Sequence, residues 1–277
     1  MRIFLGIFLF LAWQAQSLAA GILRFAPLPL ENRETVIRQF SPLLTHIEEK
    51  TGQPVRFVFH DNYDDILKAF ANAQIDLAYL GPLPYTRLRQ SFAQAEPLVQ
   101  FREADGSIMY RCVLAAFRGD HIRPQKLKNR PLGLTQPLST CGELSVNGLL
   151  QKHAGFRLQQ TPYRYMGTHE AVALAILSGE VAAGGMKEAI ARKYAGLGLE
   201  ILARTDLLPG FVLVANRATL SPSHIAQLRQ MLLTTPESVY SHWGEPIRHG
   251  MNPAADSDYA NVRRLSAAML ASPKQKP

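Results

Sequence analysis

Apolar and polar positions along this chain fall into two alternating periods. Ile22 to Pro29 (ILRFAPLP) alternates and then stops at prolines, which predicts a strand running into a loop. From Glu31 to Lys50, the residues Val36, Ile37, Phe40, Leu43, Leu44 and Ile47 recur at helical spacing, and Gly52 closes the run. Pro54 to His60 predicts a second strand. Tyr63 to Ala73 predicts a second helix, with Ile66, Leu67 and Phe70 on one face. Ile75 to Gly81 (IDLAYLG) predicts a third, buried strand, and GPLPY then opens another short helix. This βαβαβ rhythm predicts a parallel sheet with helices on both faces.

The rhythm returns further along. Met109 to Phe117 predicts one long strand. A polar segment with Pro124 and Pro131 follows, then the strand PLGLT and a helix from Ser139. Next come YRYMG, a helix over Thr168 to Ser178 stopped by Gly179, a short strand in EVAAGGM, and a helix from Lys187. ILART and FVLVANR predict strands, and Ser223 to Leu233 and Tyr259 to Leu270 predict late helices. Two α/β units joined by strands predict a two-lobed α/β binding protein. Lobe one is expected over 22–108 plus 213–271 and lobe two over 112–207, with two strands as the hinge. The ligand is expected in the cleft, at strand C-terminal ends and helix N-termini.

The stretch LSTCGELS (Leu138 to Ser145) carries more chemistry than a helix start needs. Ser139 or Thr140 can cap the helix, and Glu143 follows Thr140 at capping-box spacing. One hydroxyl suffices for a cap, yet this turn holds two, with Cys141 and Gly142 beside them. It reads either as a plain cap or as a cradle for an anion at unpaired backbone N–H groups.

Composition narrows the setting. With 277 residues and 47% hydrophobic content, the chain can bury a large core. Its net charge of +8 is spread without a Lys/Arg block, which suits mild attraction for anions and not a nucleic-acid partner. Arg2, the apolar run Ile3 to Trp13, and the small residues Ser17 and Ala19 predict a cleavable secretory signal over residues 1–20, cut after Ala19 or Ala20. The run is well short of the ~20 apolar residues a spanning helix needs. The expected mature protein is an exported, soluble, periplasmic monomer.

Two cysteines, Cys112 and Cys141, admit three readings: a disulfide, a pair of cleft thiols, or two unrelated buried residues. The sequence holds no Cys-x-x-Cys, no His-Glu-x-x-His and no Gly-rich phosphate loop with lysine. Thr168 to Glu170 (THE) only starts a helix, and Ser139 with His169 lacks a third, orienting group. No enzyme activity, cofactor or metal is expected.

IDLAYLGPLPY, the QPLSTCG turn, GTHEAVALAILSGEVAAG and the opening FAPLPLENRETVIRQFSPLLTHIEEKTGQPVRF occur in order over about residues 22 to 220. Together they resemble the PhnD-like periplasmic phosphate/phosphite/phosphonate-binding proteins of ABC transporters. The resemblance implies a type II-like two-lobed fold and a small oxyanion ligand (phosphite, phosphate or a simple phosphonate) delivered to an ABC permease. It implies ligand contacts from Ser139, Thr140 and Cys141, from the hinge-strand Tyr110 and from His169. Gly81 and Pro82 would shape the turn after the strand that brings backbone N–H groups to the cleft from lobe one, with Tyr79 and Tyr85 nearby. Tyr110, Tyr79 and Tyr85 also suit a purely packed role, and Lys187 reads as a solvated lysine at a helix start.

Three departures bear on the ligand. Ala189 and the Phe211/Val212 region stand where relatives that bind aminoalkyl phosphonates carry acids for the ligand amine, and Ala182 also replaces an acid. Leu80 replaces a tyrosine. Cys112 and Cys141 fall where small residues such as serine are usual. The cysteines leave open a second role: a periplasmic receptor for a thiophilic ligand such as arsenite, docking on a membrane histidine kinase.

Overall fold

The computed structural model describes residues 21–270; the predicted signal segment, 1–20, lies outside the described residues. The chain opens with β1 (Leu23–Pro27) and α1 (Arg33–Thr51). The Asn32 side chain accepts from the Thr35 N–H at 2.9 Å to start the helix, and Gly52 ends it at φ +68°. Val36, Phe40, Leu43, Leu44 and Ile47 are buried as their spacing predicts, but Ile37 points outward, 38% exposed, because it lies off that stripe. Next come β2 (Val55–Phe57), α2 (Tyr63–Ala71), β3 (Leu77–Leu80), α3 (Pro82–Ser91) and β4 (Ala95–Phe101).

Strand β4 escapes the sequence reading because Pro97 argues against an interior strand. Here the pairing slips by one residue next to Pro97, and that bulge admits the proline.

The strand predicted over 109–117 is two strands, β5 (Met109–Tyr110) and β6 (Cys112–Phe117). The chain turns at Arg111, whose guanidinium donates to the Thr205 carbonyl at 2.6 Å. Then follow β7 (Leu132–Leu134), α4 (Ser145–Ala154), β8 (Tyr163–Tyr165), α5 (His169–Leu177), β9 (Ala183–Lys187), α6 (Glu188–Lys193) and β10 (Leu199–Arg204). The return path is also broken, into β11 (Leu208–Pro209) and β12 (Val212–Asn216). The late elements are α7 (Pro222–Leu233), α8 (Glu237–Tyr240), β13 (Met251–Pro253) and α9 (Ala260–Leu270).

Among the described residues the strands form three sheets. The first runs β13-β4-β12-β3-β1-β2 and is the centre of lobe one. Its β2, β1 and β3 are parallel, as the βαβαβ rhythm predicts. The other half is antiparallel, so the wholly parallel sheet is corrected: β12 returns from lobe two and inserts between β3 and β4. The second sheet runs β10-β6-β9-β7-β8. On β6, Leu114 and Ala116 join one apolar cluster with Leu134 and Val146, while Val113 and Ala115 join another with Val172 and Ile176. That period of two places helices on both faces of lobe two. The third sheet is the antiparallel ribbon β5–β11, pairing Tyr110 with Leu208, where the chain crosses between lobes.

Candidate oxyanion-binding site

The stretch that opens on LSTCG folds as one wide π turn, Thr140–Leu144, feeding into α4. Leu138 precedes it at φ +62°, in the left-handed region a leucine rarely enters. The cap is Ser139, whose Oγ accepts from the Gly142 N–H at 3.2 Å. Thr140 is therefore not the cap, and the capping-box pairing expected with Glu143 does not form on it. The Thr140 carbonyl accepts from the Ser145 hydroxyl at 2.6 Å, which holds the turn at its wide pitch. A glycine on β9 lets the turn lie flat on the sheet. A Cβ on Gly185 would come within 2.4 Å of the Cys141 carbonyl oxygen.

Lobe one meets this turn directly. The Leu83 N–H, in the first turn of α3, donates to Thr140 Oγ1 at 3.0 Å. The side-chain amide of Gln136 donates to the Pro29 carbonyl at 3.1 Å, a second bond across the cleft. From the hinge ribbon, Tyr110 is buried on the wall of the same cavity as Thr140, and burial pushes its pKa well above the ordinary value. It remains a neutral phenol, able to donate.

His169 enters from the start of α5, whose cap is Thr168. Its Nδ1 accepts the backbone N–H of Lys187 at 3.2 Å. The ring proton therefore sits on Nε2. Burial in the cleft, reinforced by the Lys187 charge, pushes the imidazole pKa down to about 3, so the ring is neutral near neutral pH.

Tyr110, Ser139, Thr140, Cys141, His169 and Gly81 share the wall of one small cavity of about 10 Å³, roughly the space of one water. Leu28, Leu30, Tyr63, Pro84, Lys187 and Phe211 complete it. A larger chamber of about 150 Å³ adjoins it and shares Leu30, His169, Lys187 and Phe211.

Three predicted residues lie elsewhere. Tyr79 lines the outer chamber, stacked on Phe211 with ring centroids 5.1 Å apart. Pro82 and Tyr85 line neither space. They lie three residues apart on one face of α3, which turns into lobe one. There the Tyr85 hydroxyl donates to Asp256 at 2.8 Å, and its ring packs on Tyr259. Pro82 serves as the first residue of α3, where its missing N–H costs nothing.

Cys112 and Cys141 are joined in a disulfide with Cα atoms 5.0 Å apart, tying the start of β6 to the π turn. Among the described residues no cysteine is free, and no cluster of three or more His, Cys, Asp or Glu suits a metal ion.

Lys187 is misread by the sequence as a solvated helix-start lysine. Its ammonium is held by both carboxylate oxygens of Glu103, at 2.8 and 2.9 Å, above the rings of Tyr110 and Phe211. One signal was available: it ends strand β9, and ligand clefts lie at the C-terminal ends of such strands. Glu103 and Tyr63 also face these spaces; Glu103 sits in a segment without a telling pattern, and Tyr63 opens a helix whose apolar stripe marks it only as core.

The sequence as a whole has the same allegiance as this turn. The family of ABC transporter, phosphonate, periplasmic substrate-binding proteins matches it over residues 25–259. The chain belongs to that family.

A curated relative, the phosphate-import protein PhnD of Mycolicibacterium smegmatis, is 26% identical over 269 residues, covering 87% of this chain and 83% of the relative. PhnD1 of Prochlorococcus marinus, solved with methylphosphonate, superposes with a TM-score of 0.77 at 16% identity, over 90% of this chain and 98% of that one. A binding-protein component of a phosphonate ABC transporter from Pseudomonas aeruginosa gives 0.75 at 19% identity, over 91% and 87%. These likenesses establish the two-lobed, type II-like fold. Membership makes the chain the periplasmic substrate-binding component of an ABC importer, partnered by a permease, and not an enzyme. Among the described residues no helix is long and apolar enough to cross a membrane.

Proposed function

We propose that this binding protein takes a small tetrahedral phosphorus oxyanion (phosphite, phosphate or a simple phosphonate) and presents it to its permease. The observation that carries this reading is the convergence of neutral donors at the small cavity, with the adjoining chamber of about 150 Å³ giving an anion larger than water the space it needs. The donors are the Ser139 and Thr140 hydroxyls, the backbone of the Cys141 turn, the Tyr110 phenol and the Nε2–H of His169. Such donors stabilise an oxyanion without a matching counter-charge, and the N-terminal turn of a helix adds its positive end. Gly81 contributes backbone from lobe one, and Lys187 supplies a nearby cation. The named ligands of two relatives, phosphate and methylphosphonate, support the same class.

In this reading, residues 1–20 export the chain and are removed, and the mature protein works as a monomer. Lobe one (22–108 plus 213–271) and lobe two (112–207) close about the β5–β11 ribbon. No observation favours a thiophilic ligand and a sensor kinase. Cys141 faces the cavity as half of a disulfide and offers no thiolate.

Thermal unfolding against phosphate, phosphite, methylphosphonate, sulfate and arsenite, each with and without reductant, tests the reading. A phosphorus oxyanion at 100 times its dissociation constant should stabilise the protein by about 2.7 kcal/mol, regardless of reductant. Stabilisation by sulfate alone, or by arsenite only after reduction, would overturn it.

A further inference from the structure

Lys187 stands where the small cavity opens into the outer chamber and lines both. Glu103 follows β4 in lobe one, and Lys187 ends β9 in lobe two, so their ion pair spans the cleft. Both side chains keep only 22% of their exposure. The ammonium lies 5.0 Å from the Tyr110 ring centroid and 5.4 Å from that of Phe211. One carboxylate and two aromatic faces are the set that recognises an alkylammonium. The chain's own side chain occupies it.

We propose that Lys187 is a specificity-determining residue: its ammonium fills the Glu103–Tyr110–Phe211 cation site beside the oxyanion cavity, so the protein rejects phosphonates that carry an amine. This rests on the phosphorus-oxyanion reading above. A ligand amine entering from that cavity meets a like charge, or must displace Lys187 and strip a half-buried ammonium of its partner. Other carboxylates of the chamber do not replace Glu103. Glu31 accepts from Gln39, Glu170 pairs with Lys193, and Glu245 is exposed.

The test is calorimetric titration of the mature protein with methylphosphonate and with 2-aminoethylphosphonate. Wild type, Lys187→Met and the double variant Lys187→Met/Glu103→Gln are compared. Wild type should prefer methylphosphonate. Lys187→Met keeps the aliphatic stem and the backbone N–H to His169. It should shift the ratio of dissociation constants toward the aminophosphonate by about tenfold or more. The double variant should lose that shift, since the carboxylate is gone. Lys187→Gln repeats the measurement should the methionine variant unfold early. An unchanged ratio, or a shift that persists in the double variant, overturns the proposal while the oxyanion reading stands. If wild type binds no phosphorus oxyanion, both fall.

Discussion

The backbone N–H of Lys187 donates to Nδ1 of His169, and that single bond decides which ring nitrogen carries the proton. His169 then faces the cavity as a fixed, neutral donor with a pKa near 3. Its contribution to ligand binding should be flat from about pH 5 to pH 8, well above that value. His169→Phe should weaken oxyanion binding about tenfold or more by removing one donor, as titration calorimetry would report. The same shift carries a stability signature. The unfolded chain protonates this histidine near its ordinary pKa of about 6.5, while the folded chain resists until about 3. Stability should therefore fall as pH drops through that window, and His169→Gln should flatten the slope in urea unfolding measured at pH 7, 5 and 4. An identical slope in the variant would argue that the imidazole is not held neutral.

Thr140 Oγ1 accepts the Leu83 N–H across the cleft at 3.0 Å. Thr140→Val keeps the shape, removes the acceptor and leaves a buried N–H unpaired in the closed form. It should weaken ligand binding by about 1–3 kcal/mol, roughly fivefold to 150-fold. Ser139→Ala with Thr140→Ala should lower affinity further. Unchanged affinity in that double variant would remove the turn from the site.

The Cys112–Cys141 bridge closes a loop with a sequence separation of 29. Replacing both residues by alanine should cost about 3.6 kcal/mol in denaturant unfolding, through the loop entropy returned to the unfolded chain. Both residues are almost fully buried, at 0% and 2% exposure, so a thiol reagent should label neither in the native protein. Labelling at the stoichiometry of two thiols would revive the thiol-ligand reading.

Gly185→Ala tests the turn without changing any side chain assigned to the ligand. Its Cβ would meet Val146 Cγ2 at 2.3 Å and the Cys141 carbonyl oxygen at 2.4 Å, so the π turn has to move. The expected result is a loss of about 1–3 kcal/mol in stability, with weaker oxyanion binding at a temperature where the variant is still folded. Wild-type affinity would mean that the turn tolerates displacement.

Some of the site was readable before any coordinates. A turn with two hydroxyls behind a proline advertises an excess over capping, and His169 directly follows its own cap, Thr168. Pro82 and Tyr85 share a segment with Gly81, so the sequence alone places them at the cleft. The 3.6-residue period of α3 rotates that pair into lobe one, and only the helix's docking decides which face meets the cavity. Likewise Thr140 and Glu143 stand at capping-box spacing, but the π turn takes its cap one residue earlier, at Ser139.

The local record alone determined the elements whose causes are local. These are the amphipathic stripe of α1 and its Gly52 stop, the parallel β1–β3 unit, and the two-lobed class. Tertiary structure decided what depends on residues distant in the chain. It inserted β12 antiparallel between β3 and β4, and it bulged β4 around Pro97. It also broke both crossing strands into the β5–β11 hinge. It joined Glu103 to Lys187 across 84 positions, turning a lysine that reads as solvated into a cation at the mouth of the cavity. Periodicity reports which face of an element is apolar. It carries no information about which distant charge will share that face, because the partner is chosen by packing after the elements have formed.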